Sequence, residues 1–409
     1  MGEETVKSLE FKDIQKAYKA IKDYHIRTPT VRAARLSVHL GIDLYLKLEN
    51  LQYTNSFKAR GALNKLLSLD GTQRRKGVIA CSAGNHAQGV AFHAQRLGIP
   101  AIIIMPEGTP FNKIAKTEDF GAKVVLYGKT LPDSMEETMR RAKEDGLAFI
   151  HPYDDPLVAA GQGTIGIEMM EQRPDLDVVV VPTGGGGMIA GVAMAIKSIN
   201  PKVEIIAAQA KQYAAVKNVI EGENFKIGGA TLAEGIAVKH PGTANIAIIR
   251  KLVSRIETAT ETQIEEAIFD LLSAEKIVAE GAPGAGLAVI KNNLADFKGK
   301  KVGLILCGGN IDSRMLSTLI MRGLIRDGRI TRLRFEIDDT PGQLADIARI
   351  IGESQANVIE IVHQRMMQAV PLKRAELDVV IEAQDKMHVK RIVSTLRKQG
   401  FTVSAKSEV

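Results

Sequence analysis

The chain has 409 residues, enough for two or three domains of about 150 residues each. Hydrophobic residues make up 45% and charged residues 25%, and the net charge of +7 is scattered among acidic residues, so no basic stripe for nucleic acid is expected. No apolar run approaches the ~18 residues of a membrane span, and neither Cys81 nor Cys307 belongs to a CxxC pair. We therefore expect a cytoplasmic protein with reduced thiols and no nucleic-acid or membrane partner.

Apolar runs alternate with helical patterns along the first three quarters of the chain. Because continuous apolar strands separated by helices are typical of parallel sheets covered on both faces, the pattern predicts a doubly wound α/β fold. Ligands of such sheets bind beyond the carboxyl ends of the strands. The predicted strands are GVIACSA (77–83), AIIIMP (101–106), KVVLYG (123–128), AFIHPY (148–153), VVVVPTG (178–184), VEIIAAQ (203–209) and KVGLILCGG (301–309). The helix candidates include HAQGVAFHAQRLG (86–98), SMEETMRRAKEDG (134–146) and AAGQGTIGIEMMEQ (159–172).

The first candidate functional residue is Lys58, in the stretch TNSFKARGA (54–62). A lysine in an arbitrary stretch of this kind usually lies on a solvated helix face. Its role therefore depends on the motifs that follow.

The stretch SAGNHAQG (82–89) begins where a predicted strand ends. Ser82, the N–H groups after it and the side chain of Asn85 would form a pocket that suits a carboxylate. His86 on its own would more often be a structural hydrogen-bonding residue than a catalytic base.

Four consecutive glycines, Gly184–Gly187, connect an apolar strand to a helix pattern. One glycine is enough for a tight turn, whereas four let successive N–H groups converge on an anion in front of the helix, which indicates a phosphate cradle. The spacing of Gly185, Gly187 and Gly191 is GxGxxxG, the next strand ends at Gln209 and no Walker lysine is present. The glycine spacing and Gln209 weaken the interpretation as a dinucleotide-binding site, and the missing lysine weakens the interpretation as a P-loop.

Cys307 ends a buried strand before two glycines. A single buried cysteine usually serves only packing.

Beyond residue 330 the pattern becomes βαββαβ, and its strands alternate polar and apolar residues. This is the split ferredoxin-like arrangement. We therefore predict a domain of residues 1–328, with a smaller subdomain at about 52–155, and a second α+β domain of residues 329–409.

A phosphate cradle, a carboxylate loop and a partly buried lysine together indicate pyridoxal phosphate acting on an amino acid. Burial lowers the pKa of a lysine, so that its amine can be neutral, nucleophilic and basic. The cofactor then withdraws electrons from the substrate, and the protein supplies orientation.

In order and spacing, SFKARGA, SAGNHAQG, GQGTIGIE, PTGGGGMIAG and CGGNID resemble the threonine/serine dehydratases, which are fold type II (tryptophan synthase β-like) pyridoxal phosphate enzymes. The resemblance covers about residues 10–325. The remainder, with DDTPGQLADIARII, resembles an ACT domain, as in threonine ammonia-lyases (threonine deaminases) that carry a single one. It implies deamination of L-threonine to 2-oxobutanoate and ammonia, slower deamination of L-serine, and a homodimer or homotetramer.

Carried over position by position, the resemblance makes Lys58 the Schiff-base lysine and the base for the α-proton, and Asn85 the partner of the ring hydroxyl. The implied cofactor-binding residues are Phe57, Lys58, Asn85, Gly184, Gly185, Gly186, Gly187, Met188, Gly235, Glu280 and Cys307. The implied substrate-binding residues are Ser82, Ala83, Gly84, Asn85 and His86.

This sequence departs from the family pattern at three positions. Cys307 replaces the serine that most relatives place opposite the pyridine nitrogen, and either side chain is neutral there. Gln209 stands where relatives often have a glutamate that helps bind a monovalent or divalent cation, so the metal is left open. Glu234 stands where aspartate is usual, which is a milder change.

Several alternatives stay open. One is a serine dehydratase or a serine racemase of the same fold. The racemase has serine at the position of Ala83, and a methyl group cannot carry a proton. A β-replacing sulfhydrylase tends to have a threonine-rich loop in place of SAGNH. An NAD-dependent oxidoreductase is disfavoured by the glycine spacing. An amino-acid-binding regulatory protein with a vestigial catalytic half would lack the bound cofactor.

The resemblance to an ACT domain also implies a small-molecule effector. ACT domains bind amino acids near the first strand–helix turn, which here contains Asp338, Asp339 and Gly342. The other interpretation is that these residues only cap the helix.

Overall fold

The computed structural model describes residues 9–364 and 374–406, which form two compact units that divide between Ile311 and Asp312. The first unit contains two sheets of mainly parallel strands, and the second contains one antiparallel sheet. The predicted α/β fold with a smaller α+β unit is confirmed. Within the described residues, no helix is long and apolar enough to cross a membrane.

Helices and strands of the first unit alternate much as the apolar runs predict. The helices are α1 (Phe11–Ile21), α2 (Ala34–Leu40), α3 (Lys58–Leu67), α4 (Gly71–Lys76), α5 (Asn85–Arg96), α6 (Phe111–Asp119), α7 (Leu131–Asp145), α8 (Pro156–Gln172), α9 (Gly187–Ile199), α10 (Ala215–Glu221), α11 (Thr243–Leu252), α12 (Glu261–Glu275), α13 (Gly281–Asn292) and α14 (Leu294–Phe297). The strands are β1 (Thr30–Arg32), β2 (Asp43–Lys47), β3 (Val78–Cys81), β4 (Ala101–Met105), β5 (Lys123–Leu126), β6 (Ala148–Phe149), β7 (Val178–Pro182), β8 (Glu204–Ala210), β9 (Arg255–Ala259) and β10 (Lys301–Ile305).

The strands form a larger and a smaller sheet. The larger sheet has the order β1-β2-β10-β7-β8-β9 and is parallel except for β1, and the smaller sheet has the order β5-β4-β3-β6 and is entirely parallel. Strands β1, β2 and β9 were not predicted from the sequence. Their polar residues break the apolar run, as at Lys47, where β2 ends in a buried ammonium whose Nζ lies 2.5 Å from Glu168 Oε2.

Helix α8 is almost entirely buried and packs against both α3 and α9 through glycines. A Cβ at Gly161 would lie 2.6 Å from Gly61 Cα on α3, and a Cβ at Gly191 on α9 would overlap the backbone of α8 at Ala159. These glycines therefore allow the helix backbones to touch. As a result α3, which begins at Lys58, and α9, which follows the four glycines, lie against one helix.

A second link between α3 and α8 is a buried network of charged side chains. Arg60 bonds Glu49 through Nε–Oε2 and Nη2–Oε1 contacts of 2.8 Å each, and it bonds Glu168 through Nη1–Oε1 at 2.7 Å and Nη2–Oε2 at 2.8 Å. Lys47 supplies the second positive charge. Two cations and two anions balance in a region without solvent access, which is the condition under which buried charges are tolerated.

The second unit has the order βαββαβ after an initial helix. Its elements are α15 (Ser313–Arg326), β11 (Ile330–Asp338), α16 (Gln343–Glu353), β12 (Asn357–Gln364), β13 (Arg374–Glu382), α17 (Lys386–Lys398) and β14 (Thr402–Lys406). The strands are antiparallel in the order β12-β13-β11-β14. Leu333, Phe335 and Ile337 of β11 are buried at alternate positions, whereas residues 377–381 of β13 are all buried. The apolar side chains on the inner face of both strands pack with those of α16 and α17. Helix α15 groups with this unit rather than with the first.

Candidate active site

Lys58 is the first residue of α3 and lies at the centre of the site. Its Nζ donates a hydrogen bond to the carbonyl oxygen of Pro152 at 2.6 Å, and lies 5.2 Å from the centre of the Phe57 ring. Burial lowers the pKa of Lys58 to about 8, and the charge of the nearby Glu280 limits that shift. About a tenth of this amine is therefore neutral at pH 7, far more than for an ordinary lysine, and is available as a base or nucleophile.

The glycine loop Gly184–Gly187, which connects β7 to α9, packs closely against Tyr153. A Cβ at Gly185 would overlap the Tyr153 ring, and a Cβ at Gly187 would lie 2.6 Å from the Tyr153 carbonyl oxygen. Gly186 has φ +93°, a left-handed conformation that favours glycine. The first N–H groups of α9 have no partner within the helix and are suited to bind an anion.

The carbonyl side of this glycine loop is held by α11. Asn245 Nδ2 donates to the carbonyl oxygens of Tyr153 at 3.0 Å and Gly185 at 3.1 Å, and the N–H of Gly242 donates to the Gly185 oxygen at 3.0 Å. The Gly185 carbonyl is thus already bonded on the side away from an anion. The role of Asn245 was not predicted, because an asparagine in an amphipathic helix belongs to no recognisable motif.

The loop from Ser82 to His86 follows β3, as predicted, and leads into α5. Ser82 Oγ accepts a hydrogen bond from the N–H of Gly84 at 3.2 Å, and a Cβ built at Gly84 would meet no described atom within 4 Å. The first N–H groups of α5, which begins at Asn85, have no partner within the helix. Ala83 packs on the core of the smaller sheet. The open space and the N–H groups fit a carboxylate ligand.

His86 serves the structure of this loop. Its Nε2 donates to the carbonyl oxygen of Ile150 at 2.8 Å, and the residue is only 3% exposed. Burial, followed by the charge of Lys58, lowers the pKa of His86 to about 3, so the ring is neutral. Its side chain fixes the loop next to β6, and its contribution to a ligand would come from its main-chain N–H.

Asn85 and Glu280 form a contact that the sequence did not predict. Asn85 Nδ2 donates to Glu280 Oε1 at 2.8 Å and Oε2 at 3.1 Å, and Asn85 Oδ1 accepts from Asn310 Nδ2 at 2.8 Å. Burial raises the pKa of Glu280, and the amide of Asn85 acts against that shift. Gly308 and Gly235 leave room for the carboxylate of Glu280. A Cβ at Gly308 would lie 2.5 Å from Glu280 Oε1, and a Cβ at Gly235 would lie 3.1 Å from it.

Cys307 lies just beyond β10 and is 1% exposed. Its carbonyl oxygen accepts the N–H of Phe57 at 3.0 Å, so it fixes the backbone next to Lys58. Burial and the charge of Glu280 raise the pKa of the Cys307 thiol well above its ordinary value, which keeps it neutral. Ser56 Oγ and Thr54 Oγ1 are buried nearby without a hydrogen-bond partner in the described chain, which fits a site for a polar ligand.

Gln209, at the position where relatives often have a cation-binding glutamate, is buried and bonded to main-chain groups. No cluster of His, Cys, Asp or Glu in the part of the chain that the structure describes could hold a metal ion.

The predicted effector residues belong to the second unit. Asp338 ends β11, and its Oδ1 lies 3.8 Å from Arg374 Nε. Gly342 precedes α16 with φ +96°.

The comparisons with known proteins agree with this geometry. The family model "Pyridoxal-phosphate dependent enzyme" matches residues 21–308. An L-threonine ammonia-lyase of Thermotoga maritima is 43% identical, over 96% of this chain and 98% of that protein. An L-threonine ammonia-lyase of Geobacter sulfurreducens is 42% identical, over 95% and 98%.

Solved structures match about three quarters of the chain. The processed form of threonine deaminase isoform 2 from Solanum lycopersicum has a TM-score of 0.72 and 35% identity, and the match covers 77% of this chain and 90% of that one. Maize serine racemase has a TM-score of 0.72 and 31% identity, and the match covers 78% of this chain and 99% of that one.

Proposed function

The chain belongs to the family of pyridoxal-phosphate-dependent enzymes, and on this basis we propose that it is an L-threonine ammonia-lyase, which converts L-threonine to 2-oxobutanoate and ammonia. L-serine is a secondary substrate. The observation that carries the proposal is the dipeptide Pro152–Tyr153, which bonds the Lys58 amine and covers the glycine loop. A reactive lysine and a phosphate cradle are thereby held side by side. Relatives with this activity match nearly the whole chain.

When bound, the cofactor would withdraw electrons from the substrate Cα and so ease removal of its proton. The N–H groups of Gly184–Gly187 and Met188 would bind its phosphate. Lys58 would hold the cofactor and then move the α-proton at Nζ, a role that its lowered pKa suits. Cys307 would be a neutral partner for the ring nitrogen. The N–H groups at the start of α5 would bind the substrate carboxylate.

The closest alternative activity is racemisation, which the similarity to maize serine racemase favours. Racemisation needs a base that removes a proton from one face of Cα and an acid that returns a proton to the other. Lys58 would act on one face, and Ala83, in the substrate loop, offers only a methyl group for the other. This favours elimination, in which the electron pair of the broken Cα–H bond forms a Cα–Cβ double bond, and the removed proton and the β-hydroxyl group leave as water.

We further propose that the second unit is an ACT domain that binds an amino acid, and that the enzyme is a homodimer or homotetramer. The βαββαβ order and the match of the Thermotoga and Geobacter relatives across most of this unit support the ACT domain. The oligomeric state is what the resemblance to the threonine/serine dehydratases implies. The two unpaired buried thiols, Cys81 and Cys307, suit a reducing compartment such as the cytoplasm.

The experiment is to incubate the purified, cofactor-loaded protein with L-threonine or L-serine. Keto acid, ammonia and D-amino acid are each measured. We expect keto acid and ammonia in equal amounts, faster from threonine, with negligible D-serine. Substantial D-serine would establish the racemase instead, and Ala83→Ser should raise D-serine only slightly because a hydroxyl alone does not fix the required geometry.

A further inference from the structure

The amide nitrogen and the amide oxygen of the Gln209 side chain both bond main-chain groups. Its Nε2 donates to the carbonyl oxygens of Thr183 at 3.2 Å and Tyr213 at 3.1 Å, and its Oε1 accepts the N–H of Lys217 at 3.0 Å. The residue is fully buried on β8. Three separate pieces of chain therefore meet at one amide: the end of β7, the turn before α10 and α10 itself.

Two carbonyl oxygens that point at one atom are a typical part of a site for a hard cation. Here the partly positive NH₂ group of Gln209 lies at that point. The resemblance implies a carboxylate at position 209 in relatives that bind a cation, but the sequence has no Asp or Glu from Ile205 to Ile220. Position 209 thus contributes no carboxylate to the carbonyl pair, and the described residues contain no cluster of His, Cys, Asp or Glu that could hold a metal ion. The residues present therefore do not fit a bound metal.

The location of this amide connects it to the phosphate cradle. Thr183 immediately precedes Gly184, and its N–H bonds the carbonyl oxygen of Ala208 at 2.8 Å. The Thr183 hydroxyl donates to the carbonyl oxygen of Val181 at 2.8 Å. Gln209 therefore holds the last residue before the four glycines, and its loss would displace the N–H groups that bind the anion.

We propose that the Gln209 amide takes the structural place of a cation, so that this enzyme holds its phosphate loop, and works, without a monovalent or divalent metal ion. Gln209 is a positioning residue that acts through Thr183 on the glycine loop. The proposal deepens the proposed function. It rests on the cofactor site and not on the substrate, so cofactor affinity and melting temperature test it even if the substrate assignment fails.

The test compares full-length wild type with Gln209→Glu. Both are stripped with a chelator in tetramethylammonium buffer and then supplied with K⁺, Mg²⁺ or Ca²⁺. Cofactor dissociation, melting temperature and turnover are measured. Wild type should be unchanged by stripping and by each cation, within about twofold in cofactor affinity. Gln209→Glu should bind the cofactor at least about tenfold more weakly when stripped, and recover with at least one cation, because its carboxylate and the two carbonyl oxygens then form a cation site.

The matched control is Gln52→Glu, another buried glutamine whose Nε2 faces a single carbonyl oxygen, that of Ile26, at 2.6 Å. It should lose stability without any rescue by cations. The proposal is overturned if stripped wild type loses cofactor or melts lower and a cation restores it, or if folded Gln209→Glu responds to no cation. The wild-type measurement needs no variant and decides alone if Gln209→Glu does not fold.

Discussion

Arg60 and Glu168 form a fully buried, two-point ion pair two residues beyond Lys58, with Nη1–Oε1 and Nη2–Oε2 distances of 2.7 Å and 2.8 Å. The pair fixes the rotation of α3 against α8. Burial alone would raise the pKa of Glu168, but contacts with His25 and Arg60 and the charges of Arg60 and Lys47 outweigh it and hold the pKa well below its ordinary value.

We expect Glu168→Gln to lower the free energy of unfolding by about 3 kcal/mol, because the positive charges would be left without their partner. Since the folded pKa of Glu168 is depressed, its stabilisation is present above the ordinary carboxyl pKa of about 4.5 and is lost as the pH falls below it. The difference between wild type and variant should therefore shrink on acidification. Denaturant titration at several pH values measures it.

The control for this change is Glu171→Gln, on the same helix. Glu171 pairs with Arg27 at the surface, where ion pairs contribute about 1 kcal/mol or less. A Glu168→Gln effect no larger than that of Glu171→Gln, or one that is independent of pH, would contradict the prediction.

Lys58→Ala should remain folded, lose the yellow colour of bound cofactor and lose turnover by roughly 10³-fold or more. In apoprotein the rate of cofactor capture should rise with pH around a midpoint of about 8, where the Lys58 amine loses its proton. The control is Lys65→Ala, on the same helix as Lys58, which removes an ion pair between Lys65 and Asp155. This variant should retain colour and turnover. Normal turnover of Lys58→Ala would refute the assignment of the site.

Cys307→Ser should be nearly silent, because both side chains are neutral and small. Cys307→Asp should lower turnover at least about tenfold, or about 1.4 kcal/mol in the barrier, and change the absorbance of the bound cofactor. The physical reason is that a carboxylate protonates the ring nitrogen. Asparagine has the size of aspartate without its charge, so Cys307→Asn separates the effect of the charge from the effect of side-chain size. If Asp and Asn variants behave alike, Cys307 is packing alone.

An amino acid bound at the turn after β11 should shift the threonine response of the full chain. Coupling between two sites is typically about 5- to 150-fold in affinity, and isoleucine and valine are the ligands to test first. Asp338→Asn should weaken the shift while leaving stability nearly unchanged, since Asp338 and Arg374 are mostly exposed. The control Glu353→Gln, at the far end of α16, should leave the shift unchanged.

Calorimetry with isoleucine, valine, threonine and serine gives the decisive measurement for this unit. If none of them binds to the intact protein beyond the catalytic site, the second unit has no amino-acid effector. Its role would then be assembly.

The parts of the fold and site that the sequence predicts are those set by local chemistry. Apolar runs gave β3, β4, β7 and β8, and four adjacent glycines indicated the anion site whatever surrounds them. The role of Asn310 depends on Asn85, 225 residues away, and that of His86 depends on a carbonyl oxygen beside β6. Such contacts come from the tertiary arrangement, and a single sequence has no periodicity that reports them.

Helix α8 has a consequence for motion. Gly161 lets the lysine helix touch α8, and Gly191 on α9 lets the helix behind the phosphate loop touch it too. Contacts this close leave no space for sliding, so we expect Lys58 and the glycine loop to keep a constant separation when the rest of the molecule fluctuates. If Lys58 and the glycine loop hold the cofactor as proposed, their spacing stays constant throughout the catalytic cycle.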